Sequence, residues 1–322
     1  MRLTFGRFLA GLGLGAACLS AAHASGDYPS RPMTMVVSFA AGGSTDTIAR
    51  LLAQNVSESL GKAIVVENKP GAEGQLGAQH IAKAAPDGYT FGLVTSGNMS
   101  GLPAMRKDPP YDVVKDFTPI ADVGRYGFFL FVHESLPVRT FQEFLDYARA
   151  NPGKMSYGTG NNTGVLTFAQ IKRMFDIDLV HVPYKGEPSA TTDLVANRIQ
   201  AMIGTGAGLP YAEQGKLRTL VTLLPVRSPM APDVPALNEV GMGDLPITPW
   251  AGIVGPAGMP AEAVEKLSAA FVAAASKPEV KAIIDKQGFT LTPQPPKEFA
   301  ELIAQQLEAH RSLVKNAGIP VM

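Results

Sequence analysis

The chain has 322 residues, with 28 lysines and arginines balanced by 28 aspartates and glutamates, and a single cysteine. That balance excludes the strongly basic surface of a nucleic-acid-binding protein, and one cysteine excludes a disulfide framework or a thiolate metal site. The length suits about two domains of roughly 150 residues each.

The first 24 residues, MRLTFGRFLAGLGLGAACLSAAHA, have a positive start at Arg2 and Arg7, an apolar centre from Phe8 to Leu19, and a small-residue cleavage pattern at Ala22-His23-Ala24. They read as a secretory signal peptide, too short in its apolar part for a permanent anchor. Cys18 invites a lipoprotein reading, but Gly15 stands where a leucine is usual, so cleavage is expected after Ala24. Removal leaves 298 of the 322 residues, with 26 basic against 28 acidic side chains and no cysteine. No later run approaches the roughly 20 apolar residues of a spanning helix; Phe128 to Val132 is the densest, bracketed by Arg125 and His133.

From residue 33 onward, short apolar runs alternate with helical patterns. The runs predict strands over Met33–Phe39, Ala63–Glu67, Thr90–Thr95, Phe128–His133, Met155–Tyr157, Leu179–Val182, Ala201–Gly204 and Leu217–Leu223. Period-3.6 patterns predict helices over Thr47–Leu60, Gly77–Ala84, Thr140–Ala150, Gly164–Phe175, Ser189–Ala196, Ala261–Ala275, Pro278–Gln287 and Pro296–Ala317. Such interleaving argues an α/β fold with mixed, mostly parallel sheets flanked by helices. One lobe is expected at about 27–122 plus 227–322 and the other at about 123–226, with a proline-rich return linker at 225–235.

The joints between strands and helices carry the functional signal. In MVVSFAAGGSTDTIARLLAQ, residues 35–54, an apolar run ends at Phe39 and a helix begins near Thr47. Ala40, Ala41, Gly42, Gly43, Ser44, Thr45 and Asp46 lie between them. A helix start offers unsatisfied N–H groups and a positive potential, and ligands of open α/β sheets sit beyond the strands' carboxyl ends. Ser44 or Thr45 is expected to cap the helix, with Asp46 favoured there by the helix dipole. Two glycines exceed what one cap needs, so the loop as a whole is expected to touch a carboxylate. The same grammar returns in Gly158–Thr163 and in Thr95–Gly101.

Competing chemistries are poorer. GGSTD lacks the lysine of a phosphate-gripping loop, and no G-x-S-x-G elbow occurs. His80, His133, His181 and His310 stand alone, without metal-ligand spacing, so neither a metal nor a cofactor is expected. An exported serine hydrolase using Ser44 or Ser96 with His181 is the alternative enzyme reading, and no other motif supports it.

YPSRP, the stretch from Val36 to Thr90, LVHVPYKG, GKLRTLV and RSPMAPDVPALNEVG resemble the Bug-type solute-binding proteins of tripartite tricarboxylate transporters, over essentially all of 28–322. The resemblance implies a periplasmic, two-lobed binding fold, expected to be a monomer. It would close on a small organic acid and deliver it to membrane permease subunits; presentation to a membrane sensor shares the same site. It also implies that the carboxylate is held by Ala40–Asp46 and Gly158–Thr163. The expected ligand-binding residues are Phe39, Ala41, Gly42, Gly43, Ser44, Thr45, Asp46, Ser96, Asn98, Phe128, Thr159, Gly160, Asn161, Asn162, Thr163, Lys185, Thr205 and Trp250.

This chain departs from the family pattern at several of these places. Gly164, Val165 and Leu166 replace serine, glutamine and histidine, Phe128 replaces a common asparagine, and Gly204 stands where many relatives carry an acid that meets an ammonium in amino-acid binders. Losing that acid argues against an amino-acid ligand, and gaining apolar surface argues for an aromatic or otherwise apolar-bodied carboxylate. Trp250 is expected either in the cleft wall or in the core, and Lys185 either facing the anion or solvated. Arg125, if turned inward, would be the partner of a second carboxylate.

Overall fold

A computed structural model describes residues 28–224, 226–243, 248–316, 318–319 and 321. The expected leader, residues 1–24, lies outside the described residues. The elements run β1 (Met33–Val37), α1 (Ser44–Leu60), β2 (Ile64–Asn68), α2 (Gln75–Ala82), β3 (Thr90–Thr95), α3 (Leu102–Ala104), β4 (Phe117–Tyr126), β5 (Phe128–His133), α4 (Phe141–Ala150), β6 (Ser156–Thr159), α5 (Asn162–Phe175), β7 (Val180–Pro183), α6 (Glu187–Val195), β8 (Ala201–Thr205), α7 (Leu209–Glu213), β9 (Leu217–Thr222), β10 (Trp250–Pro256), α8 (Ala261–Ala275), α9 (Pro278–Asp285), β11 (Phe289–Gln294) and α10 (Pro296–Asn316).

They build two sheets. The first is six-stranded in the order β11-β4-β10-β3-β1-β2, and the second five-stranded in the order β7-β6-β8-β5-β9. Both are mixed. Parallel pairing is confined to β2-β1-β3 and β7-β6-β8, while β10, β4 and β11 in one sheet and β5 and β9 in the other run antiparallel to their neighbours. The antiparallel share is therefore larger than the apolar runs predicted. Three of its strands were illegible because Pro119, Asp122 and Gly124 interrupt β4, Gly252 and Gly255 thin β10, and β11 leads straight to Pro295 and Pro296.

The chain changes sheet at Gly127, between β4 and β5, rather than near residue 122, and returns after β9 through the segment leading to β10. Alternation along the strands covers both faces of each sheet. In the first, Met35, Val37, Leu93 and Ile253 pack with Ile48 and Leu52 of α1 and Phe271 of α8. Val36, Val94, Trp250 and Val254 turn the other way, onto Ile81 of α2 and Phe299 and Ile303 of α10. In the second, Leu130 and Val132 meet Phe144 and Phe168, while Phe129 and Phe131 meet Ala190 and Leu194 of α6.

Among the described residues, the two sheets' units touch near the crossing and again beside α5. Near the crossing, Gly127 N donates to Gly288 O at 2.7 Å, and the backbones of Gly206 and Gly288 approach so closely that a Cβ on either would lie 2.6 Å from the other's Cα. On the far side, Asn162 Nδ2 donates to Gly97 O at 3.3 Å, and a Cβ on Gly101 would meet Asn162 and Leu166. Among the described residues no helix is long and apolar enough to cross a membrane.

Candidate functional site

The loop after β1 is fixed from within. Asp46 is buried and fully engaged: Oδ2 accepts from Gly42 N and Arg50 Nε, both at 2.9 Å, and Oδ1 accepts from Asn68 Nδ2 at 2.8 Å. Burial alone would raise its pKa, but hydrogen bonds from Arg50, Gly42 and Asn68 hold the carboxyl below its ordinary value. Asn68 also donates to Phe39 O at 3.0 Å. Asp46 is thus the loop's internal brace, both of its oxygens engaged by the loop and its neighbours, and Gly42 N is engaged by it.

The cap of α1 differs from expectation. Gly43 is the N-cap, and no side chain caps the first amides. Thr45 Oγ1 instead shares a 2.7 Å hydrogen bond with Tyr126 OH, and Ser44 Oγ donates to Gln287 O at 3.2 Å. The hydroxyls reach sideways to the lobe crossing, which leaves the leading amides of a 17-residue helix without a side-chain partner. Ala41 and Gly42 are exposed, and Phe39, Gly43, Ser44 and Thr45 are half-buried at this opening.

In the second unit, Asn161 caps α5 through Gly164 N at 2.8 Å. Asn162 makes the cross-unit bond to Gly97 while its buried Oδ1 has no partner. Thr163 is buried behind them. Thr159 Oγ1 shares a 2.6 Å hydrogen bond with His181 Nε2, and the His181 ring stacks on Tyr157, so His181 supports the joint. Gly160 presses on the backbone of Gly186 and Glu187, where a Cβ would overlap it. Thr205 bonds Glu187, described below, and its register partner Phe128 is buried against Tyr126 at the crossing.

Several expectations are corrected. Asn98 is wholly buried and ties its own loop, accepting from Thr95 N at 2.9 Å and donating to Gly74 O at 3.4 Å. Ser96 Oγ accepts from Trp250 N at 3.3 Å, and the Trp250 ring packs edge-on against Phe299 at 5.2 Å inside the core. Trp250 is therefore core and not cleft wall, although its Nε1 has no partner. Arg125 is paired with Asp122 of its own strand, Nη1 lying 2.8 Å from both carboxylate oxygens. Burial pushes the Asp122 carboxyl up to about 6 in spite of Arg125. Lys185 is exposed and forms no ion pair among the described residues. Leu166 is buried against Gly101, so its apolar surface is engaged in contact between the units.

One residue was missed. Glu187 opens α6, and its Oε1 accepts from Thr205 N at 2.6 Å and Thr205 Oγ1 at 2.9 Å. Burial raises its carboxyl to about 7 despite those bonds, and its charge helps hold the Tyr126 hydroxyl proton. In the sequence, Gly186-Glu187-Pro188 is an ordinary helix start, where an acid needs no further reason than the dipole.

A serine–histidine pair is not assembled from these parts. Ser44 and Ser96 bond backbone, and His181 bonds Thr159. Among the described residues no cluster of acids, histidines or cysteines could hold a metal.

The family model for the tripartite tricarboxylate transporter family receptor matches residues 48–319. The chain belongs to that family. A relative from Cupriavidus necator, described as a UPF0065 protein in the gbd 5' region, is 36% identical over 311 residues, covering 95% of this chain and 93% of the relative. The periplasmic binding protein BugD has a solved structure with 30% identity and a TM-score of 0.83, covering 91% of this chain and 99% of that one. An R. palustris protein solved with adipate has 30% identity and a TM-score of 0.85, over the same shares of 91% and 99%. As a Bug-type receptor the chain is a solute-binding protein, not an enzyme, with the two-lobed α/β fold of periplasmic binding proteins.

Proposed function

We propose that this receptor captures a small organic carboxylate in the periplasm, after export by its N-terminal signal, and delivers it as a monomer to the membrane subunits of its transporter. The observation that carries the reading is the uncapped start of α1. Its leading amides have no side-chain partner, and the hydroxyls that would ordinarily serve them are held by Tyr126 and Gln287. Such amides attract a carboxylate without any formal positive charge. The start of α5, tied to Gly97 through Asn162, supplies the facing half, so binding and lobe closure are coupled.

The proposed contacts are Phe39, Ala41, Gly43, Ser44 and Thr45 from one lobe and Asn161, Asn162, Thr163 and Thr205 from the other. Phe128, buried beside Tyr126, supports an apolar wall for the body of the guest. An aromatic guest is less well supported, because Leu166 and Trp250 are engaged elsewhere.

A thermal-shift screen of mono- and dicarboxylates, followed by calorimetry, tests the proposal. A bound carboxylate raises the unfolding temperature, and free ligand at 100 times its Kd stabilises by about 2.7 kcal/mol. A Cβ at Gly43 meets only Ala40 O at 3.6 Å, so Gly43→Phe is expected to fold, as circular dichroism checks, and to lose binding. Unchanged affinity in Gly43→Phe would refute the site.

A further inference from the structure

The first turn of α1 carries the hydroxyls of Ser44, Thr45 and Thr47, and their hydrogens are not equally available. Ser44 Oγ donates to the carbonyl of Gln287, and Thr47 Oγ1 donates to the carbonyl of Gly43, both at 3.2 Å. A carbonyl only accepts, so each of these side chains has spent its single hydrogen and keeps only lone pairs. A carboxylate, itself an acceptor, gains nothing from either hydroxyl. Thr45 differs. Its Oγ1 lies 2.7 Å from the Tyr126 hydroxyl, a partner that can donate or accept. The direction of this bond decides whether Thr45 keeps a hydrogen to give.

Tyr126 is the natural donor of the pair. It ends β4, and its ring is wedged edge-on between Phe289, at 4.6 Å, and Phe128, at 6.1 Å. Its backbone N donates to Pro249 O at 3.0 Å, and the next residue, Gly127, donates to Gly288 O. The phenol therefore has a fixed, buried place at the crossing, with Thr45 as the partner of its hydroxyl. Burial, aided by the charge of Glu187, raises its pKa in spite of the Thr45 bond, so the phenol keeps its proton. A phenol is a stronger acid than an alkyl alcohol and hence the better donor. A bond directed from Tyr126 to Thr45 polarises the Thr45 hydroxyl for onward donation.

We propose that Tyr126 is a positioning residue of the carboxylate site: its hydroxyl donates to Thr45 Oγ1 and so directs the Thr45 hydrogen onto the guest's carboxylate, beside the leading amides of α1. This rests on the carboxylate-binding reading above and adds one side-chain donor to its backbone amides. Tyr126 acts through Thr45 and is not itself a contact. It does so from the strand end at which the chain passes between the lobes, so the anion site and the crossing share one hydrogen-bonded chain. Removing the phenol oxygen frees the Thr45 hydroxyl to rotate and to donate elsewhere. Removing the Thr45 hydroxyl takes away the donor itself.

A double-mutant cycle on the mature protein tests this, with calorimetric affinities for adipate, succinate and benzoate at a temperature where circular dichroism shows each variant folded. For the probe that binds most tightly, Thr45→Val should lose roughly ten- to hundredfold in affinity, as for a hydrogen bond to a charged group. Thr45→Ser, which keeps the hydroxyl, should lose far less. Tyr126→Phe should lose about two- to tenfold when Thr45 is present, and less than about twofold more when Thr45→Val is already in place. A purely structural Tyr126 would lower the unfolding temperature in both backgrounds and leave affinity alone. No loss from Tyr126→Phe, or equal losses with and without the Thr45 hydroxyl, would overturn the relay. If Tyr126→Phe does not fold, the Thr45 variants still decide. Thr45→Val binding as tightly as wild type, or Thr45→Ser as weakly as Thr45→Val, overturns it. Binding that Gly43→Phe abolishes and Tyr126→Phe leaves intact removes the relay alone. Binding of none of the three acids by the wild type would overturn both readings.

Discussion

Asn162 Nδ2 donates to the Gly97 carbonyl at 3.3 Å, so the first turn of α5 in one lobe is fastened to the backbone that follows β3 in the other. Asn162 is buried, and its own Oδ1 has no partner. A single hydrogen bond of this kind contributes about 0.5–1.5 kcal/mol. Asn162→Ala should therefore weaken carboxylate binding by roughly two- to tenfold and enlarge the radius of gyration of the free protein in small-angle scattering. If affinity and size both stay unchanged, the bond plays no part in closure.

At the opposite end of the interface the backbones of Gly206 and Gly288 are in close contact. Gly288 has φ +72°, and a Cβ there would lie 2.6 Å from both N and Cα of Gly206. Gly288→Ala should cost about 1–3 kcal/mol in urea unfolding through backbone strain, with the steric contact adding to it. Gly215→Ala, at φ +70° with open space around it, carries the strain without the contact and should cost less. Equal losses in the two variants would show that the close approach is unimportant.

Asp46 braces the candidate site by accepting three hydrogen bonds. Its folded pKa is below the ordinary value, so its stabilisation is present above the unfolded pKa and lost as pH falls through the folded one. Asp46→Asn should destabilise by about 2 kcal/mol at neutral pH and by less in acid, as the wild type loses its own advantage. Chemical denaturation at pH 7 and pH 3 reads the difference. A constant gap between variant and wild type across that range would contradict the brace.

Glu187 and Asp122 work in the other direction. Burial raises them to about 7 and about 6 from ordinary values of 4.5 and 3.8. An acid that holds its proton more tightly when folded contributes stability that is full below the unfolded pKa and declines as pH rises through the folded one. Their contribution therefore diminishes between about pH 4 and pH 7 in the ligand-free protein. Glu187→Gln should flatten the upper part of that decline, as seen in unfolding temperatures measured in steps of pH. A decline identical to the wild type would show that Glu187 does not titrate there.

How far the sequence leads depends on how local each signal is. The apolar stripe Ile48-Leu52-Val56 and the loop before it announced α1 and the joint at Gly43, because periodicity and glycine placement act within a few residues. The direction of Ser44 and Thr45 was hidden, since their partners Gln287 and Tyr126 are distant in the chain. Trp250 and Arg125 were ambiguous for the same reason: only packing against Phe299 and pairing with Asp122 decide them. Strands β4, β10 and β11 escaped because prolines, glycines and a buried acid break their apolar pattern. Glu187 escaped because its chemistry depends on the empty place at Gly204, which becomes legible only when β8 and α6 lie side by side.

The most direct measurement is a crystal structure of the mature protein with whichever carboxylate stabilises it most. The guest's carboxylate is expected at the leading amides of α1, near Ser44, with the Asn162–Gly97 contact retained. A carboxylate found instead in the surface groove lined by Arg139, Gln142 and Glu239, with the cleft unchanged, would contradict the account.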